Sequence, residues 1–281
     1  MTDRKKKITP LGCLSNLGAA VYAVVVLFPV FWVIYTSFKT NEEFVSTPWA
    51  LPSTWQLQNY VNAWEKVDFS TYTLNSVLIT LISVFIVVIL SSTVSYVLVR
   101  SEKKWSEAVL MLFIAGLYVP TALILPSEFT VMYDLGLWNS QVGLVLLYVV
   151  YSLPYSVLLL SGFYRGMPKE LEEAAAIDGC GIHSAFWKII FPLSKNGVIT
   201  VIIYNFVWIW NDYMFALTFL SDNELMTLPV GIIALENSFR LKADWVTLFA
   251  GLNIVMIPSI VIYVCFQKYL TKGLTAGSVK G

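Results

Sequence analysis

Residues 69–99 read FSTYTLNSVLITLISVFIVVILSSTVSYVLV, thirty-one uncharged residues bounded by Asp68 and Arg100. A helix needs about 20 apolar residues to cross the hydrocarbon core of a bilayer, so this run is long enough to span it with some to spare. Five further runs flank it. Lys7 to Lys39 encloses 31 uncharged residues, Glu107 to Glu128 encloses 20 and Asp134 to Arg165 encloses 30. Lys195 to Asp222 encloses 26 with Asp212 as the one charge, and Asp244 to Lys268 encloses 23. The pattern predicts an all-α, polytopic membrane protein with six transmembrane helices. They are expected at about Leu14–Thr36, Tyr72–Val99, Ala108–Leu125, Val142–Tyr164, Asn196–Leu220 and Trp245–Phe266. Pro29 and Pro154 fall inside spans, where proline is tolerated, and Pro120 is expected to bend the third. The segment Pro126–Gln141 is expected to be a short amphipathic connection outside the membrane.

The whole chain agrees. It is 57% apolar and 13% charged over 281 residues, with a mean hydropathy of +0.71, the composition of a membrane protein and not of a soluble domain. Formal net charge is zero, so nothing in the total points to nucleic acid. Fourteen of the eighteen Lys and Arg residues fall at the N-terminus (Arg4, Lys5, Lys6, Lys7), in the second and fourth loops (Arg100, Lys103, Lys104; Arg165, Lys169, Lys188, Lys195) and in the tail (Lys268, Lys272, Lys280). Only Lys39, Lys66, Arg240 and Lys242 fall on the other side. Positive charge marks the cytoplasmic face, so both termini and the 165–195 loop are expected there. Cys13, Cys180 and Cys265 then lie at or near the reducing side, and no disulfide is expected. The basic start resembles a signal peptide, but its apolar run is too long, and it reads as an uncleaved first helix.

The longest polar interruption of the C-terminal half is Met167–Pro192. Pro168 suits a first helical position. Glu170, Glu172 and Glu173 suit a helix N-terminus, and Ala174, Ala175 and Ala176 are strong helix formers. Gly179 and Gly181 can stop the helix. Ser184 is a candidate N-cap for a second helix, ended by Pro192. Leu171, Ala174, Ala175 and Asp178 share one face, and the small side chains let another surface come close. A polar helix–turn–helix on the membrane surface would look the same.

This stretch also resembles the cytoplasmic loop of binding-protein-dependent ABC importer permeases: E-A-A, three residues, G, nine residues, I-x-L-P. Here Glu173-Ala174-Ala175 precedes Gly179 at that distance. Ile189, Ile190, Phe191 and Pro192 follow, with Phe191 in place of the usual Leu. Trp210-Asn211-Asp212, Thr227-Leu228-Pro229 and the end Gly273–Gly281 are similar to carbohydrate-uptake permeases, most narrowly the G-type subunit of the maltose transporter class. The resemblance covers about Asn59 to Gly281.

It implies a type I ABC importer permease fold in a single transmembrane domain, residues 1–281, with a first helix at 14–36, a five-helix core at 72–266, a coupling loop at 165–195 and a cytoplasmic tail at 267–281. It implies that Glu172, Glu173, Ala174, Ala175, Asp178 and Gly179 couple to an ATPase, and that Gly273, Thr275, Gly277 and Lys280 dock the tail between paired ATPases. The implied partners are a second permease in a heterodimer, two cytoplasmic ATPases carrying ATP and Mg, and an extracellular or periplasmic sugar-binding protein. The implied location is the bacterial cytoplasmic membrane.

Within the fifth run, Asn205, Trp208 and Asp212 fall on one helical stripe with Phe215, and Asn211 is adjacent. A membrane-embedded Asp costs about 2.5–3.5 kcal/mol on insertion scales, so the stripe is expected to face protein or water. A translocation path and polar helix packing are both consistent with it. The loop 38–70 carries Phe44, Trp49, Trp55, Tyr60, Trp64 and Phe69. It reads as an interfacial belt over a small packed loop, or as a docking face for an extracellular partner. His183 is the only histidine, no catalytic or metal cluster surrounds it, and no Gly-Lys dipeptide is available for a phosphate-binding loop. The chain is thus not expected to be an enzyme or to bind a cofactor. A permease for another solute, such as a polyamine or phosphate, and a stand-alone ion-coupled carrier are the competing readings.

Overall fold

The computed structural model describes residues 10–240 and 243–276. All regular structure among the described residues is helical. The helices are α1 (Pro10–Thr36), α2 (Asn41–Ser46), α3 (Gln58–Lys66), α4 (Phe69–Arg100), α5 (Lys104–Gly116), α6 (Thr121–Asp134), α7 (Gln141–Arg165), α8 (Glu170–Ile177), α9 (Ile182–Ala185), α10 (Phe191–Leu193), α11 (Lys195–Asn211), α12 (Met214–Phe219), α13 (Leu228–Arg240) and α14 (Trp245–Ala276). A π-helical turn, Phe186–Ile190, joins α9 to α10. Among the described residues four stretches are long and apolar enough to cross a membrane unbroken: Ser15–Thr36, Phe69–Arg100, Gln141–Arg165 and Trp245–Gln267. Two more candidates are bent pairs, α5 with α6 at 102° and Ile182–Leu193 with α11 at 74°.

The third and fifth spans differ from expectation. The third is not one rod with a gentle kink. Pro120 lacks an N–H and holds its predecessor extended, the chain leaves helix at 117–120, and α6 sets off in a new direction. That helix runs through Pro126 to Asp134, where a connecting segment is expected. The fifth ends at Asn211, not near Leu220, because Asp212 is extended (φ −69°, ψ 131°).

The chain forms two compact units. The first comprises the described residues among 10–67 and 232–254. Its polar centre is Asn253, whose amide donates to Ser37 Oγ and to Tyr60 Oη, both at 3.0 Å. Asn59 donates to the carbonyls of Ser37 and Lys39, both at 2.8 Å. Lys39 is fully buried and donates to the carbonyls of Thr47 and Pro48. Burial lowers its pKa, and the nearby Glu43 carboxylate opposes that shift. Trp32 packs against Phe44, Trp49 and Phe249. The aromatic loop is therefore a packed structure, although Trp49 and Trp55 remain mostly exposed.

The second unit comprises the described residues among 68–231 and 255–276. Helices α4 and α7 run parallel: Tyr96 meets Tyr164 at 5.9 Å near their C-terminal ends. Their seam is built from small residues. Ser83, Ser91, Ser92 and Ser95 of α4, with Ser161 of α7, are all buried. Lipid supplies no hydrophobic drive between helices, so close packing of small side chains holds such a seam. Ser95 Oγ donates to the Val157 carbonyl at 3.1 Å. At the other end of α4, Asn75 donates to the carbonyls of Glu224 and Met226, and Ser76 Oγ accepts from the Leu228 N–H at 2.7 Å. Asn139, at φ +54°, accepts from the N–H groups of Ser221 and Asp222.

Gly143, in the first turn of α7, is the tightest approach in this unit. A Cβ there would sit 2.1 Å from the Leu137 carbonyl oxygen and 2.8 Å from Met132 Cε. The methionine can move but the backbone carbonyl cannot. Gly143→Ala is therefore expected to cost about 1–3 kcal/mol, read by denaturant titration in mixed micelles. Stability equal to the parent would show that the 137–143 turn is looser than this packing requires.

Candidate functional site: a coupling segment and a polar aromatic cavity

Two places in the second unit combine exposure with built polar geometry. The first is the segment after α7. Pro168 precedes α8 instead of opening it, and Lys169 occupies the N-cap position. The acidic first turn of Glu170, Glu172 and Glu173 is as expected. The C-terminal end has the Schellman pattern. Gly179 takes φ +78°, its N–H meets the Ala176 carbonyl at 3.0 Å, and the Cys180 N–H meets the Ala175 carbonyl at 2.8 Å. The second helix starts after Gly181, so Ser184 lies inside it and does not cap it. Pro192 lies within the short α10 instead of ending the helix, and the bend falls at Ser194.

The expected shared face splits. Ala175 is buried and Leu171 packs against the core, whereas Glu173, Ala174, Asp178 and Gly179 are exposed. Glu172 points back into the chain: Arg100 Nε donates to its Oε1 at 2.7 Å and Arg100 Nη2 to the Met167 carbonyl at 3.2 Å. That ion pair, with side chains 14% and 19% exposed, pins α8 to the end of α4. Two apolar residues that the motif does not include, Ile177 and Ile182, are 87% and 74% exposed, and they flank the Gly179 turn. Cys180 and Cys265 are free thiols; the Cys13 side chain lies outside the described residues.

The second place is a cavity of about 370 Å³ where α5, α6, α7 and α11 meet around the 117–120 break. That volume is within the range of roughly 300–1,000 Å³ usual for small-molecule sites. Asn205 and Trp208 line it, as do Tyr151, Tyr155, Tyr204, Ser152 and Glu128. Tyr155 and Tyr204 face each other with ring centroids 4.1 Å apart. Tyr151 donates its hydroxyl to Glu128 Oε1. Asn205 is buried and donates to Ser156 Oγ at 2.9 Å and to the Val201 carbonyl at 2.8 Å.

The two other residues expected on the path are elsewhere. Asn211 donates to Ser259 Oγ and to the Val207 carbonyl. Asp212 sits in the break between α11 and α12. It accepts the Tyr148 hydroxyl at 2.8 Å and the N–H groups of Phe215 and Ala216, so it caps α12. Among the described residues no group of His, Cys, Asp and Glu has the grouping of a metal site. The tail residues Gly273 and Thr275 fall in the last turns of α14, and Gly277 and Lys280 lie outside the described residues.

Fold and cavity define a class: a multi-pass helical membrane protein with an aromatic-lined pocket among its helices. Residues 89–276 match the family described as "binding-protein-dependent transport system inner membrane component", and the chain belongs to that family. It is 34% identical over 270 residues to the melibiose/raffinose/stachyose import permease protein MelC of Bacillus subtilis, covering 95% of this chain and 96% of MelC. It is 34% identical over 272 residues to the trehalose/maltose transport system permease protein MalG of Thermococcus litoralis, covering 95% and 96%. A bacterial ABC transporter involved in import of the acidic polysaccharide alginate contains a chain that superposes with a TM-score of 0.78 at 21% identity, over 96% of this chain and 99% of that one. The fold is thus the type I ABC importer permease fold expected from the sequence. As a family member the chain is a membrane transport component.

Asp212→Ala removes both a cap and the acceptor of a buried tyrosine hydroxyl. It should cost about 1–3 kcal/mol in denaturant titration, with Asp212→Asn milder. Tyr148→Phe should add little in the Asp212→Ala background, since the shared bond is already gone. Fully additive costs would show that the two side chains act independently.

Proposed function

We propose that this chain is one of two permease subunits of an ATP-driven sugar importer, and that it forms part of the translocation path. The observation that carries the reading is the match, along nearly the whole chain, to permeases named for the uptake of sugars such as melibiose, raffinose, stachyose, trehalose and maltose. The aromatic lining of the cavity supports it, because aromatic faces suit the apolar faces of sugar rings. Asn205 and Trp208 are the path residues in this reading. Asn211 and Asp212 hold the helix break beside the path.

The α8–Gly179–α9 turn is the coupling element. Glu173, Ala174, Asp178 and Gly179 present the docking surface, and Glu172 and Ala175 anchor it from behind. Exposed Ile177 and Ile182 are apolar surface that a partner would cover. The partner is a cytoplasmic ATPase, present in two copies and carrying ATP and Mg. A second permease completes the path as a heterodimer, and an extracellular or periplasmic binding protein delivers the sugar. Both termini face the cytoplasm in this reading, which the Lys and Arg distribution supports. The tail, with Gly273, Thr275, Gly277 and Lys280, reaches the ATPases from that side.

Gly179→Val tests the coupling role. Only glycine takes φ +78° without strain, and a β-branched residue there is an outlier. The variant should insert normally, lose most sugar uptake in proteoliposomes of the complete transporter, and co-purify with less ATPase. Uptake at the parental rate would refute coupling through this turn.

A further inference from the structure

The Arg100 end of α4 carries two apolar grooves, away from the cavity already described. The first, of about 290 Å³, runs between α4 and α5 and is lined by Thr93, Val94, Val97, Leu98, Trp105 and Val109. The second, of about 110 Å³, runs between α4 and the segment of α9 and the π-helical turn, with Tyr96, His183, Phe186 and Trp187 on its walls. Thr93 and Val97 line both grooves, so the two meet across one turn of α4. The floor is firm: Val94, Leu98 and Val109 belong to one apolar cluster with the buried Leu110 and Val157. Trp187 is braced by Phe186 at 4.8 Å and by Phe191 at 5.1 Å. The grooves are nevertheless open, with Val97 50% and Trp105 48% exposed.

Depth and charge say what fits there. Thr93 lies seven residues before the end of α4, about 10 Å along the helix, so both grooves fall within one leaflet of a core about 30 Å thick. No Lys, Arg, Asp or Glu lines either groove. Each has a tryptophan, Trp105 or Trp187, the residue type favoured where the core meets the headgroups. Cations adjoin both: Lys103 and Lys104 immediately precede Trp105, and Lys188 follows Trp187. All three are exposed, and none has an ion pair among the described residues. Arg100 and Lys169 are instead committed to Glu172 and Glu102. Glu107, one turn into α5, offsets part of the positive charge. An apolar slot inside one leaflet, with uncommitted cations where a chain would leave the core, is complementary to a lipid with an anionic headgroup. A helix of the partner permease is about 10–12 Å across with its side chains. It would lie over such grooves instead of entering them, and would have to bring acids for the lysines.

We propose that this face binds an anionic phospholipid, with an acyl chain in the grooves across Thr93 and Val97 and the headgroup against Lys103 and Lys104, Lys188 adding to the field. In the orientation given above the lipid belongs to the cytoplasmic leaflet. The site goes beyond the importer reading and does not depend on which solute is carried. One of its walls is the packed α4 and α5, and the other is the segment that follows the Gly179 turn. A bound chain therefore braces that segment against the helix frame.

The test uses the complete transporter in phosphatidylcholine nanodiscs that contain a trace of photoactivatable lipid, with peptide mass spectrometry to locate the label. Two probes carry the same diazirine-bearing acyl chain, one on phosphatidylglycerol and one on phosphatidylcholine. The phosphatidylglycerol probe should label residues 93–109 and 182–187 roughly tenfold more than its neutral counterpart, the preference expected of two lysines beside an anionic headgroup. Added unlabelled phosphatidylglycerol should compete that label away. Lys103→Gln combined with Lys104→Gln should abolish the preference; both side chains are exposed, so this variant is expected to assemble. Val97→Trp fills the turn common to both grooves with every charge intact, and should lower the label in both. Only variants that co-elute with their partners are read. Equal labelling by the two probes would mean an ordinary boundary lipid and would overturn the site. An unchanged preference in the double-lysine variant, or full labelling of an assembled Val97→Trp variant, would overturn it too. So would a photocrosslinking residue at position 97 that captures the partner permease instead of lipid, because a protein then covers the grooves. Sugar uptake into proteoliposomes tests the importer reading separately, and failure of the lipid site leaves that reading standing.

Discussion

A chain in lipid must satisfy its backbone polar groups internally, and the breaks in these helices obey that constraint. At Asp212 the freed N–H groups of Phe215 and Ala216 go to a carboxylate that also holds a tyrosine. In the polar loop after α7, where water is also available, Schellman bonds close α8 at Gly179. At 117–120 a proline removes one donor outright, and the turn is closed by bonds from Leu117 and Tyr118 back to Ile114 and Ala115. Each break is tolerated because the protein supplies partners there. The candidate coupling turn, the cavity beside the 117–120 bend and the cap beside the path all sit at such places.

Rigid surroundings make those breaks useful. The serine seam of α4 and α7 lets two long helices pack closely, and the Asn75, Ser76 and Asn139 bonds tie the connections to their ends. Against this frame α8 is held by the Arg100–Glu172 ion pair, by the exposed Lys169–Glu102 pair at its N-cap, and by Leu171 and Ala175. A segment held at few points on a firm support is suited to transmit a push from a partner.

Much of this was legible in the residues. Runs without charge located the spans, since nothing but a helix can bury so long an apolar stretch in lipid. Gly179 was legible because a positive-φ stop after an alanine-rich turn has few alternatives. The breaks were harder. Asp212 looked like one polar residue on a continuing helix, because helical spacing cannot show that a side chain has turned back to cap the next helix. Glu128 looked like the charge that ends an apolar run, so the run was closed there and α6 was missed. Tyr151, Tyr155 and Tyr204 gave no signal: in a membrane helix a tyrosine facing a cavity and one facing lipid have the same letter. Packing of α7 against α11 brings them together with Asn205 and Trp208, and the bend between α5 and α6 completes the lining.

The central claim is that the α11 face carrying Tyr204 and Trp208 borders a water-filled path. It is tested most directly by thiol accessibility in the complete transporter, with Cys13, Cys180 and Cys265 replaced by serine. Single cysteines at Tyr204, Trp208 and Ile202 are exposed to a charged, membrane-impermeant methanethiosulfonate with and without ATP. Ile202 is exposed on α11 but does not line the cavity. The path account predicts reaction at 204 and 208, at rates that change with nucleotide, and none at 202. Cysteines at 204 and 208 as inert as the one at 202, in every nucleotide state, would contradict it.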